Sequence, residues 1–197
     1  MPRKITQYRV FIGSPGGLEV ERKAFRALLQ HCTQTYGAAH DVAFHPVGWE
    51  ETVGGVGRAQ TLINEDLRQC DYAVFVLHDR WGSPPGNGPY TSGTEEEWAI
   101  AEELYETKKI RNIALFFKTA QPNQVNDPGD QLKLVLAFKK KIIGEKKYLF
   151  EQYDTVSVFT QTLDGHLAKW LEDHRKLDSS FLSASPATTA SPRRRPA

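Results

Sequence analysis

The stretch Ser92-Gly93-Thr94-Glu95-Glu96-Glu97-Trp98 holds the densest chemistry in the chain. Two S/T-x-x-E patterns overlap in it, Ser92 with Glu95 and Thr94 with Glu97. Either pair makes a capping box at a helix start, and acids suit the positive end of a helix dipole. Only one register caps. If Ser92 caps, Glu95 is its reciprocal partner and Glu97 is left over. Glu97 then lies at the margin of the apolar stripe, one turn before Ala101, and is partly covered. The dipole is expected to hold such a carboxylate ionised, which suits an electrostatic stabiliser or nucleophile. One chemistry needs little else: breaking an N-glycosidic bond to a cationic leaving group, as nicotinamide is in NAD. That base departs without protonation, and the developing oxocarbenium needs an anion beside it. The competing reading for Glu97 is capping or solvation.

A second candidate is Ser14-Pro15-Gly16-Gly17, where a strand-like run turns into a helix-like one. Free N–H groups at such a turn favour an anion, which reads as a phosphate cradle. A plain turn, with Ser or Gly capping and Pro fixing φ, explains the same residues. Asp79, Arg80 and Trp81 follow the third strand and border the same crevice. Other chemistries lack their motifs. Neither glycine cluster matches GxGxxG, and GxxxxGK[ST], HExxH and GxSxG do not occur. The six histidines show no ligand spacing on one helix face, so no metal site is expected.

These residues need elements to position them. Strand-like runs are Tyr8–Ile12, Val42–Val47, Asp71–Leu77, Asn112–Phe117 and a short Lys147–Phe150. Pro46 marks the second as a strand that ends there or lies near an edge. Helix-like runs are Leu18–Tyr36, Gln60–Gln69, Glu95–Lys108, Gln131–Lys141 and Val156–Lys176. The first is expected to bury Val20, Ala24, Ala27, Leu28, His31 and Cys32. Thr119–Asp130 reads as a long loop. Alternation with buried apolar strands predicts a flavodoxin-like three-layer α/β sandwich, with about five parallel strands. Such sheets bind ligands beyond the strand carboxyl ends.

The chain has 197 residues, 40% apolar and 25% charged, with a formal charge of +1. That length fits one domain, placed at 1–178. Residues 179–197, rich in Ser, Pro and Arg, are expected to be a disordered tail or linker. The charge balance argues against nucleic-acid binding, and Lys139–Lys141 and Arg193–Arg195 read as solvated faces. Cys32 and Cys70 are too few for a disulfide scaffold or zinc site and read as buried small hydrophobes. With no signal peptide or membrane span apparent, a soluble, cytoplasmic domain is expected.

Three segments together carry a resemblance: Val10 to Gly17 followed by Glu21-Arg22, Cys70-Asp71 through Pro84, and Ser92-Gly93-Thr94-Glu95 to Glu97. They resemble a TIR-like family of unknown function whose members open V-F-I-[AS]-S-P-G-D-x-x-x-E-R, found at the front of bacterial signalling and defence proteins. Gly17 stands where that family often has Asp. The closing Phe159 to Leu171 also fits. The family is similar to TIR domains and, more distantly, to nucleoside deoxyribosyltransferases, both flavodoxin-like with an essential Glu at the helix after the third strand. The transferase pattern G-T-x-x-E-x-G-x-A is met by Gly93, Thr94, Glu97 and Ala101, with Ala99 where Gly is usual.

The resemblance implies an NAD-consuming effector, hydrolase or cyclase, with NAD as substrate and no cofactor, acting through Glu97, or through its competitor Glu95, since the family also favours an acid after the Thr. It places substrate contacts at Ser14, Gly16, Gly17, Arg80, Trp81, Ser92 and Thr94. It implies self-assembly or an assembling partner, with Glu50–Gly57 as the matching loop for gating or assembly. Base exchange on deoxynucleosides and a non-catalytic assembly module are the alternatives.

Overall fold

Short β-branched and aromatic runs form the strands, and the amphipathic runs between them coil over the sheet. A computed structural model describes residues 3–50, 58–86 and 88–183, with side chains through 176. The elements are β1 (Thr6–Gly13), α1 (Glu19–Cys32), a π-helical turn (Thr33–Gly37), β2 (Val42–Val47), α2 (Ala59–Leu67) and β3 (Tyr72–Leu77). They continue with α3 (Gly93–Glu106), β4 (Asn112–Lys118), α4 (Pro122–Asn126), α5 (Asp130–Glu145), β5 (Phe150–Tyr153) and α6 (Val156–Ser183).

The five strands are parallel in the order β2-β1-β3-β4-β5. This is the flavodoxin-like order, and its chain reversal falls between β1 and β3. Val10, Val74 and Phe116 pack on one face against Phe25 of α1 and Phe159 and Trp170 of α6. Phe11, Phe75 and Leu115 pack on the other against Leu67 of α2, Trp98 of α3 and Phe138 of α5. Every residue of β3 is buried, as a strand covered on both faces requires.

Several elements depart from the sequence reading. The last strand starts at Phe150 rather than Lys147, whose ammonium instead pairs with Glu106 at 2.5 Å. The loop expected over 119–130 contains the short helix α4. The buried stripe of α1 is Glu21, Arg22, Phe25, Leu29 and Cys32, while Val20 is 63% exposed. The reason is electrostatic. Glu21 takes a bond from Lys118 Nζ at 2.8 Å, and Arg22 is held by four oxygens, so both charges are satisfied inside.

α6 runs past its expected end at Lys176 to Ser183. Residues 184–197 of the expected tail lie outside the described residues, as do 51–57. No helix among the described residues is long and apolar enough to cross a membrane. Cys32 and Cys70 are buried as free thiols, and burial pushes them up to about 11 and about 12.

β2 lies at the sheet edge, and Thr33 of the π-turn sits against it. The Thr33 hydroxyl accepts the Phe44 N–H at 2.9 Å and donates to the Phe44 carbonyl at 3.3 Å. Two residues on, Pro46 has no N–H at all.

Candidate functional site

The loops after β1 and β3 meet the start of α3. Gly82, at φ +103°, makes the meeting close: a Cβ on it would lie 3.4 Å from Ser92 and 3.7 Å from Pro15. Ser92 is the N-cap of α3, and its hydroxyl accepts the Glu95 N–H at 3.0 Å. Glu95 reaches back one residue further than a capping box requires. Its Oε2 accepts the Thr91 N–H at 2.6 Å and the Thr91 hydroxyl at 2.7 Å. Ser92 and Glu95 are thereby spent on the helix start. Ser92→Ala is expected to cost about 1 kcal/mol in urea denaturation.

Glu96 and Glu97 turn inward instead. Glu96 pairs with Arg58, Nη2 to Oε2 at 2.5 Å, and accepts Asn64 Nδ2 at 2.9 Å. Glu97 is 7% exposed and its carboxyl stands beside Gly13 of β1, which pairs with Phe75 of β3 at the β1/β3 reversal. Its Oε1 accepts Gln60 Nε2 at 2.8 Å, its one hydrogen bond among the described residues. Gly13 is glycine of necessity. A Cβ there would lie 2.6 Å from the Phe75 ring and 2.9 Å from Glu97 Oε2.

The charge state of Glu97 corrects the expectation from the dipole. Burial pushes its carboxyl up to about 8, the Gln60 bond pulls it down, and the neighbouring Glu96 pushes it up further. No cation acts on it among the described residues. Loss of water outweighs the helix start, so the group is mostly protonated at neutral pH.

The turn after β1 also differs from the cradle reading. The Gly17 N–H is donated to Glu19 Oε1 at 3.0 Å, a bond that holds the Glu19 carboxyl below its ordinary value. The chain thus supplies its own anion there. The buried Ser14 hydroxyl accepts Arg22 Nη1 at 3.0 Å, and the Pro15 carbonyl accepts the same atom at 3.2 Å. Arg22, 1% exposed, also binds Glu19 and Glu50 and lies over the Trp49 ring, 5.3 Å from its centroid. Sequence reasoning recorded Arg22 only as part of a family motif, with no role attached.

Arg80 is exposed and lies across the Gly16-Gly17 turn, 3.6 Å from where a Cβ on Gly17 would stand. Its guanidinium makes no ion pair among the described residues. Trp81 goes elsewhere. It is buried, its indole N–H donates to Thr91 Oγ1 at 2.7 Å, and its ring packs on Phe138. Trp81 and Glu95 line a cavity of about 420 Å³ between α3 and α5, with Trp98, Leu134 and Lys141. Thr94 is buried against Phe75, Leu77 and Trp81 beneath it.

The sequence-predicted residues therefore separate. Glu97, Ser14, Gly16, Gly17 and Arg80 gather around the ends of β1 and β3, while Trp81, Thr94 and Glu95 face α5. Gln60, from α2, joins the first group and was missed, because a Gln in a first helical turn carries no motif. Of the loop Glu50–Gly57, Glu50 is described and pairs with Arg22 and Arg26. No group of three His, Cys, Asp or Glu side chains among the described residues could hold a metal ion.

Among solved structures, the chain is similar to a 2-desoxiribosyltransferase from Leishmania mexicana. The two share 18% identity over 64% of this chain and 76% of that one, with a TM-score of 0.37. No curated protein matches. A family model described as "Domain of unknown function (DUF4062)" matches residues 9–168, most of the chain, and the protein therefore belongs to the DUF4062 family.

Proposed function

We propose that this domain cleaves the N-glycosidic bond of a nucleotide whose leaving base is cationic, namely the nicotinamide of NAD. Glu97 is the carboxylate that faces the ribosyl centre, and Arg80 is the cation available to the substrate's phosphates. One observation carries the reading: Glu97 is a buried carboxyl whose only described partner is a neutral amide. A buried acid without a counter-ion is most strongly stabilised, and most readily ionised, by a cation that the ligand brings. Nicotinamide in NAD brings one.

The C1′–N bond then breaks, and its electron pair goes to the nicotinamide nitrogen, which becomes neutral. The positive charge passes to the ribose carbon, beside the carboxylate. Water adds at that carbon and releases a proton. If an oxygen or nitrogen of the same substrate attacks in place of water, the product is cyclic.

Base exchange on a neutral nucleoside is the second reading. The same raised carboxyl favours it in one respect, since a protonated Glu97 can donate to a departing neutral base. The test incubates the full chain with NAD, and separately with deoxynucleosides plus a free base, across a protein concentration series, and resolves products by chromatography. NAD cleavage that Glu95→Gln retains and Glu97→Gln loses is the expected result. Loss in Glu95→Gln with retention in Glu97→Gln reassigns the acid. Base exchange without NAD cleavage establishes the second reading. No turnover at any concentration leaves an assembly module in which Glu97 is a buried acid of the helix start.

A further inference from the structure

The geometry points to Gln60 as the positioning residue of this site, the group that decides which oxygen of Glu97 meets a ligand; this rests on Glu97 being the acting carboxylate. Gln60 stands in the first turn of α2. Its Nε2 has two hydrogens and two acceptors, Glu97 Oε1 at 2.8 Å and Asn64 Oδ1 at 3.1 Å. Asn64 in turn donates its Nδ2 to Glu96 Oε1 at 2.9 Å, and Glu96 ends the chain on Arg58. Neither amide can be flipped without setting oxygen against oxygen, so both orientations are fixed by the network.

The consequence falls on Glu97. Oε1 is occupied by Gln60. Oε2 accepts no hydrogen bond among the described residues and stands against Gly13, at the end of β1. On the proposed function, Oε2, the oxygen left unbonded, is the atom that meets the ribosyl carbon. Two glycines keep this arrangement open. Gly13 leaves room for Oε2, and Gly93 leaves room for Gln60, because a Cβ on Gly93 would fall within contact distance of Gln60 Oε1. The glycine that opens α3 is thus explained by a side chain arriving from α2, not by the helix's own geometry.

Among the described residues, the groups that act on the Glu97 carboxyl are Glu96 from α3 and Gln60 from α2, and Gly13 at the end of β1 lies beside its Oε2. A hydrogen bond to the carboxylate favours its ionised form, so removing that bond raises the titration midpoint.

The experiment titrates the full chain, labelled with carbon-13 at the glutamate carboxyl carbons, by NMR; Glu97→Gln identifies the Glu97 signal. Gln60→Leu is expected to move the Glu97 midpoint up by roughly one pH unit. It is also expected to lower kcat for NAD cleavage by about 10²-fold with KM little changed, as loss of orientation does. Gly93→Ala displaces Gln60 without removing its amide and is expected to shift the midpoint in the same direction by less; it carries the test if Gln60→Leu does not fold. An unmoved midpoint in the folded variants overturns the role of Gln60, whatever the activity. A raised midpoint in a protein that cleaves no NAD supports Gln60 as the holder of Glu97 and overturns the substrate reading alone.

Discussion

Glu97→Gln is expected to cut turnover steeply and, at the same time, to make the protein more stable in mild alkali. The wild-type carboxyl sits at about 8 in the folded chain against an ordinary 4.5. Its folded-state value is raised, so the folded protein prefers the protonated form. That preference contributes its full stability below pH 4.5 and is lost progressively as pH climbs through about 8. At about 1.4 kcal/mol per pH unit, the loss reaches about 5 kcal/mol once the group is ionised. Glutamine keeps the shape, can still accept the Gln60 N–H, and carries no charge to desolvate. Melting curves at pH 4 and pH 9 should nearly coincide for the two proteins at the lower pH. At the higher pH they should separate by roughly 10 °C, with the variant higher.

Turnover should fall by on the order of 10³-fold, the cost of removing a preorganised charge from beside a developing cation. The pH profile gives the role its sign. An acting carboxylate makes kcat/KM rise with pH and level off near 8, whereas a proton donor makes it fall there. Equal melting curves at pH 9 would show that Glu97 is not the buried, uncompensated acid described above.

The second large effect belongs to Arg22. Replacing it with methionine removes the bonds to Glu19 and Glu50 and to the oxygens of Ser14 and Pro15, and it leaves Glu50 partly covered with Arg26 as its remaining guanidinium. The Ser14 hydroxyl and the Pro15 carbonyl then stay buried without their donor, at about 1–3 kcal/mol each, whereas the accessible Glu19 and Glu50 can turn to water. Lysine should recover little of this. A single ammonium cannot reproduce the planar fork that reaches Ser14, Glu19 and Glu50 together or lie over the Trp49 ring. Chemical denaturation of Arg22→Met and Arg22→Lys measures both. A loss below about 1 kcal/mol for methionine would mean that the turn after β1 holds itself.

The contrast between these residues shows where sequence was legible. Strands β1 to β4 were readable because apolar runs such as Tyr72–Leu77 have few alternatives once flanked by helix-like segments. The Ser92 cap was readable because capping is local, settled within four residues, although Glu95 reaches back to Thr91 and not to the N-cap N–H. Glu21 and Arg22 do not enter the buried stripe read from the sequence because periodicity counts apolar residues, and their partners, Lys118 for Glu21 and Ser14, Pro15, Glu19 and Glu50 for Arg22, are set by the fold. The charge state of Glu97 was misjudged for the same reason. The dipole is visible from the helix alone, but the desolvation that overrides it is delivered by β1, α2 and β3. Trp81 was grouped with Glu97 by loop position, and the side to which its ring turns depends on Phe138 and Thr91.

The hydroxyl of Thr33 occupies both outward polar groups of Phe44, and Pro46 offers no donor beside it. An intruding strand from another molecule would find both groups of Phe44 taken and a donor missing at Pro46, so pairing along that border is interrupted. Lateral growth into fibrils is discouraged there, and copies of this domain that associate must do so without extending the sheet through β2.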